Sequence, residues 1–188
     1  MRIKMVYSLT LVCIISSALL AIVYQIAQPK IESDIRKKLI SHLKEVFPDS
    51  IFICGRLYKY ETPLKFEPAI QDTLWIVKDR NDKKVGIVFK VFPKGYAGTF
   101  EVLVGVNLDT IVTGVRPATP AEGLKETPGL GSKIVEPWFR NQFIGKKPFE
   151  ILLKKDGGTL DAITGATISS RAVTNGIRLG IEKYKSFL

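Results

Sequence analysis

TLWIVKDRNDKKVGIVFKVF, residues 73–92, decides how the rest of the chain is read. Two runs rich in β-branched and aromatic residues, Thr73–Lys78 and Lys84–Phe92, flank the turn-forming Asp79-Arg80-Asn81-Asp82, which predicts an antiparallel hairpin. Strand-like runs of the same character lie on both sides: Ile51–Tyr60 before it, Thr99–Asn107 and Asp109–Val115 after it. A glycine-bearing loop, Pro93–Gly98, joins the hairpin to the next run. Strands that follow one another with no helix between them predict a meandering antiparallel sheet, not a doubly wound one. Further on, regular pattern lapses from Arg116 to Leu130. A short helix is expected around Ile134–Phe143, a strand at Phe149–Leu153 and a turn at Lys155-Asp156-Gly157-Gly158. The last element is a helix from Ser169 to about Tyr184, with Val173, Ile177, Ile181 and Tyr184 on one face. Gly176 and Gly180 weaken it by roughly 1 kcal/mol each relative to alanine, so a neighbouring element should approach that face closely. The fold class expected is α+β.

Before the sheet the chain changes character. Val6 to Ala27 is almost wholly apolar, with no charge between Lys4 and Lys30, and about twenty such residues cross a hydrocarbon core as a helix. Arg2 and Lys4 precede the run, which places the N-terminus in the cytoplasm and all that follows Pro29 outside it. No small-residue cleavage site follows cleanly, so a retained anchor is favoured over a signal peptide. From Ile31 to Phe47, Ile31, Ile35, Leu39, Leu43 and Val46 recur at helical spacing until Pro48. The expected organisation is an anchor with a cytoplasmic N-terminus (1–28), an amphipathic linker helix (29–48) and one extracytoplasmic domain (49–188).

Composition narrows the function. The formal net charge is +10, and only Arg2, Lys4 and Lys30 of the basic residues lie in the first thirty positions. A basic domain suits nucleic acid, anionic lipid or a phosphorylated ligand. No arginine-rich run or aromatic-basic interleaving singles out nucleic acid, so no nucleic-acid partner is expected. One histidine, His42, and two separated cysteines, Cys13 and Cys54, give no metal-ligand spacing, disulfide framework or catalytic triad.

Two stretches carry chemistry. In DAITGATISS, residues 161–170, a small Thr164-Gly165-Ala166 turn presents the hydroxyl of Thr167 at a helix N-terminus, where unpaired N–H groups and the helix dipole favour an anion. An ordinary N-cap would use the same residues. In ETPGLGSK, residues 126–133, Pro128, Gly129 and Gly131 fix a bend whose backbone can approach a flat ligand. There Leu130 offers an apolar face, and Glu126, Thr127 and Lys133 offer an acceptor, a hydroxyl and a cation. A surface turn capping the next helix accounts for these residues equally well.

Together, and in this order after a single apolar span and a β-rich middle with a Gly95-Tyr96 loop, the two stretches resemble one family over nearly the whole chain. It is the family of extracytoplasmic FMN-binding subunits: the G subunit of the Rnf ion-pumping electron-transport complex and the C subunit of the sodium-translocating NADH:quinone oxidoreductase. The short spacer after the anchor fits the G subunit better. The resemblance implies an electron-carrying subunit with no substrate of its own, working with the membrane and redox subunits of the complex and with membrane lipid. It also implies covalent FMN, attached through a phosphoester to Thr167 by a separate magnesium-dependent flavin transferase that uses FAD and releases AMP. Asp161 would then be a recognition element for the transferase. Glu126–Lys133 would hold the ring or ribityl portion, and Lys133 would favour negative charge on the flavin. A non-redox binding module and a stand-alone extracellular flavin reductase component remain alternatives on the residues alone.

Overall fold

A computed structural model describes residues 2–53 and 56–188; Cys54 and Gly55, within the run expected as one strand, lie outside the described residues. The chain divides into two compact units, Met1–Ile40 and Ser41–Leu188. The helix α1 (Arg2–Val46), which makes up the first unit and ends in the second, is long and apolar enough to cross a membrane. It runs through Pro29 as one helix, where an anchor and a separate linker helix were expected. Proline forgoes one bond to the carbonyl four residues back, and the helical pattern on both sides carries the backbone past it. The apolar stripe of residues 31–47 divides in its environment: Ile31 and Ile35 are exposed, while Leu43, Val46 and Phe47 are buried.

The second unit is built on a five-stranded antiparallel meander in the order β3 (Lys65–Ile70), β4 (Leu74–Lys78), β5 (Lys84–Val91), β6 (Val102–Asn107), β7 (Val112–Pro117). The hairpin read from residues 73–92 is β4–β5, paired Trp75 to Val88 and Ile76 to Ile87. Lys65–Ile70 is a strand that the sequence pattern does not announce. It carries Pro68, two charged residues and little burial, and it occupies the sheet edge, where a missing N–H is tolerated. A separate two-stranded ladder joins β1 (Ser50–Ile53) to β2 (Arg56–Lys59), where one strand was expected.

Alternation gives the sheet two buried faces. On one, Leu74, Ile87, Phe89, Val102, Val104 and Val106 form the main core with Val173, Ile177, Ile181 and Tyr184 of the helix α3 (Thr167–Tyr184). A Cβ at Gly176 would lie 3.2 Å from Pro93 Cβ, and one at Gly180 would lie 2.5 Å from Phe89 Cε2, so both glycines admit the sheet as expected. The other face carries buried Trp75, Val77, Val88 and Leu103, and receives the end of α1. A Cβ on Gly114 would come within 2.6 Å of Val46 O, and Thr113 Oγ1 donates to that carbonyl at 2.7 Å. Glu45 there pairs with Arg116 (3.0 Å) and Arg140, while Arg116 also grips Glu122.

The short helix expected at Ile134–Phe143 is a chain of single turns around α2 (Pro137–Arg140), with Pro137 opening the second of them. The strand expected at Phe149–Leu153 is absent among the described residues. Pro148 starts a 3-10 turn instead, and only Leu153 makes an isolated bridge, to Leu160.

Candidate functional site

The α3 helix starts at Thr167, with Ala166 in the cap position and no side-chain cap. Ser170 N donates to Ala166 O at 3.0 Å, so by α-helix geometry the N–H groups of Thr167, Ile168 and Ser169 precede the first intrahelical bond. The helix start is braced from inside: buried Ser170 accepts from Ile163 N at 3.0 Å and donates to Ala166 O at 2.9 Å. Gly165, at φ 80°, supplies the left-handed turn that leads in. Thr167 therefore stands one position beyond the cap, and Lys155 Nζ donates to its hydroxyl at 3.4 Å.

The residue 126–133 bend folds on itself. Thr127 O accepts from Leu130 N at 3.1 Å and from Ser132 N at 3.2 Å, and Gly129, at φ 73°, donates its N–H to Ser132 Oγ at 2.9 Å. This leaves Leu130 half exposed, and a Cβ on Gly165 would lie 3.1 Å from Leu130 Cδ2. The two motifs thus meet, thirty-odd residues apart in sequence.

Glu126 is not an open acceptor at the edge of the bend. It is buried, and its oxygens take Ala97 N at 3.1 Å and Ser169 Oγ at 2.7 Å. Cβ atoms on Gly95 or Gly131 would run into this carboxylate, so both glycines make room for it. Glu126 joins three segments: the Pro93–Gly98 loop, its own bend and the first turn of α3.

Between these segments lies a groove of about 660 Å³. From the first motif it is lined by Glu126, Thr127, Leu130 and Gly131, and from the second by Gly165, Ala166 and Thr167. Pro128, Gly129, Thr164, Lys133 and Asp161 are not among its lining residues. Pro128 and Gly129 shape the bend. Lys133 is exposed, its N–H bonded to Leu130 O. Asp161 pairs with Lys154 at 2.7 Å and donates its N–H to Gln142 Oε1 at 2.7 Å. Sequence reasoning missed four lining residues, Tyr96, Lys155, Ile168 and Ser169. In the sequence Lys155 reads only as part of a turn. Its neighbour Asp156 accepts from Arg171 Nε and Nη2 at 2.9 and 2.7 Å, and that guanidinium holds the Asp156 carboxyl below its ordinary range.

The groove volume is in the range of small-molecule sites. Leu130 and Ile168 give apolar wall, Tyr96 an exposed ring, and Lys155 with the helix N-terminus a place for an anion. An apolar wall beside an anion end suits a flavin mononucleotide. Over residues 95–182, which include both motifs and every lining residue of the groove, the chain matches the FMN-binding domain family. The G subunit of an ion-translocating oxidoreductase complex from Aliivibrio fischeri (strain MJ11) is 33% identical over 190 residues, spanning 95% of this chain and 88% of that one. The chain belongs to the family of G subunits of ion-translocating oxidoreductase complexes. The G subunit of the sodium-translocating ferredoxin:NAD oxidoreductase of Acetobacterium woodii is 39% identical over 56% of this chain and 52% of that one. The G subunit of a proton-translocating counterpart from Clostridium ljungdahlii is 29% identical over 96% and 90%. Among solved structures, the C subunit of the sodium-translocating NADH-quinone reductase from Parabacteroides distasonis aligns over 61% of each chain at 22% identity, with a TM-score of 0.49.

Proposed function

We propose that this protein is the electron-carrying flavoprotein subunit of an Rnf-type ion-translocating oxidoreductase complex, with FMN esterified to Thr167. The observation that carries the reading is the meeting of the two motifs in one groove at the start of α3, with the Thr167 hydroxyl beside a lysine. A threonine hydroxyl is a weak nucleophile, and the cation beside it cannot act as a base, so attachment falls to a separate transferase. In that reaction Thr167 Oγ bonds to the flavin-side phosphorus of FAD and the bond to the AMP phosphate breaks. AMP leaves with the bridging oxygen, and the threonine proton passes to a base of the transferase.

Each part of the groove then has a task. The N–H groups at the α3 start and Lys155 would hold the phosphate, Leu130 and Ile168 would face the ring, and Glu126 keeps the three walls in register. Bound there, FMN supplies the one- and two-electron chemistry, and the protein sets its position and exposure. Residues 1–28 anchor the chain with its N-terminus in the cytoplasm by the positive-inside rule, which puts the flavin domain on the extracytoplasmic side. Membrane lipid and the other redox subunits are its partners.

The test is intact-protein mass spectrometry and in-gel fluorescence after co-expression with a flavin transferase. The wild type should gain one FMN, and Thr167→Ala should gain none with unchanged circular dichroism. A wild type without covalent flavin, or a loaded Thr167→Ala, overturns the assignment.

A further inference from the structure

We propose that Lys155 is the residue through which the acceptor site receives the phosphate destined for Thr167; this rests on the flavin reading above and assigns the recognition step to a side chain outside both motifs. The turn Lys154–Asp156 carries three consecutive charges, and each has a different partner. Lys154 Nζ lies 2.7 Å from Asp161 Oδ1, tying the turn to the start of the threonine motif. Asp156 takes the two-pronged grip of Arg171, one turn into α3. Lys155 stands between these two clamps, with its Nζ 3.4 Å from Thr167 Oγ1 and its side chain lining the groove.

The clamps hold the turn from both sides, and the backbone keeps it in place. Gly157, at φ 87°, closes it, and Gly158 lies so close to the Leu152 backbone that a side chain has no room. The turn therefore holds the backbone of Lys155 within reach of the acceptor hydroxyl, and the exposed side chain extends to it.

An ammonium that donates to a hydroxyl leaves that hydroxyl its proton, so Lys155 is not the base of the transfer. Its charge matters to what approaches and what stays. The pyrophosphate of FAD is anionic as it arrives, and the diester left on Thr167 keeps one negative charge. Lys155, 3.4 Å from the oxygen, and the first N–H groups of α3, at the start of the same helix, both favour that negative charge. The transfer itself is redox-neutral, with the atoms partitioned as above.

The experiment uses the full chain, purified without flavin in detergent micelles, with purified transferase, FAD and magnesium. The initial rate of FMN incorporation is read by in-gel fluorescence and confirmed by intact mass. Losing a charge-assisted contact corresponds to roughly a ten- to hundredfold change, so Lys155→Ala should load at least about tenfold more slowly and Lys155→Glu more slowly still. Lys155→Arg, which keeps the charge, should load within about threefold of wild type. Lys133→Ala, at the lysine that sequence reasoning singled out, should load at the wild-type rate. In loaded protein the phosphorus NMR resonance of the diester should move on Lys155→Ala. Lys155→Ala and Lys155→Glu that load like wild type overturn the inference, as does Lys155→Arg as slow as the alanine variant. A wild type that gains no FMN overturns the underlying assignment instead.

Discussion

Replacing Glu126 by alanine should destabilise the Ser41–Leu188 unit far more than replacing it by glutamine. The side chain accepts from Ala97 N at 3.1 Å and Ser169 Oγ at 2.7 Å while buried. Hydrogen bonds to a charged group contribute about 1.5–3 kcal/mol each. Alanine loses both and leaves two donors facing a gap, offset in part because no carboxylate is then held away from water. The net loss comes to about 3 kcal/mol, or roughly 6–12 °C in Tm for a unit of this size. Glutamine keeps the shape. Its carbonyl can face Ala97 N–H, which can only donate, and its amide N–H can face Ser169 Oγ, which can turn and accept. The expected loss is about 1 kcal/mol or less. The partner glycine gives a second reading of the same geometry. Gly131→Ala should destabilise the wild type, because its methyl meets the carboxylate, and should cost less in the Glu126→Ala background, where only the 3.0 Å approach to Cβ remains. Thermal unfolding of the full chain in detergent, followed by near-ultraviolet circular dichroism, measures each of these proteins. Equal losses for alanine and glutamine, or additive effects of the Gly131 pair, would refute the reasoning.

Two further outcomes follow from the same geometry. Gly165→Ala places a side chain at φ 80° and 3.1 Å from Leu130 Cδ2, so it should cost about 1 kcal/mol or more and slow flavin loading; unchanged loading and Tm would remove the glycine from the site's requirements. Glu122, held by Arg116 against the cost of its partial burial, has its carboxyl pushed from 4.5 to about 2. A folded pKa below the unfolded one stabilises the protein in full above about 4.5 and fades as the pH falls towards 2. With the carboxylate 34% exposed, screening limits this to about 1 kcal/mol. The Tm of Glu122→Gln should lie below that of wild type at pH 7 and meet it near pH 2; parallel curves would remove the pair from the acid response.

The meander was legible because each central strand is a run of β-branched residues buried on both faces, as Val102–Asn107 shows. Lys65–Ile70 was not, since its place at the edge needs little burial and allows Pro68. The Phe149–Leu153 run failed as a strand for a different reason: Ile151 and Leu153 are buried in the core while Phe149 is exposed, and no neighbouring ladder pairs with the run beyond the single Leu153–Leu160 bridge. At the site, glycine and small-residue turns announced both motifs. Glu126 changes meaning only when Ala97 and Ser169, far apart in sequence, arrive beside it. Lys155 was invisible for the same reason, because a lysine before Asp-Gly-Gly reads as a solvated turn until its two neighbours are seen pinned.

The glycines of α3 matter beyond letting a sheet come close. Pro93 lies where a Cβ on Gly176 would meet it, and the loop that Pro93 begins reaches, through Ala97, Glu126 and Ser169, back to the start of the same helix. Those contacts form a closed circuit with β5 as one side and α3 as another, a triangulated frame in the engineer's sense. Thr167 sits at one vertex. A shift of the helix along its axis would strain the loop, and a shift of the loop would break a charged hydrogen bond, so neither moves alone. For a carrier of electrons, whose transfer rate falls steeply with distance, such a frame fixes where every outgoing path begins. Any travel needed to meet successive partners must then be made by the domain as a body, with its redox group held still inside it.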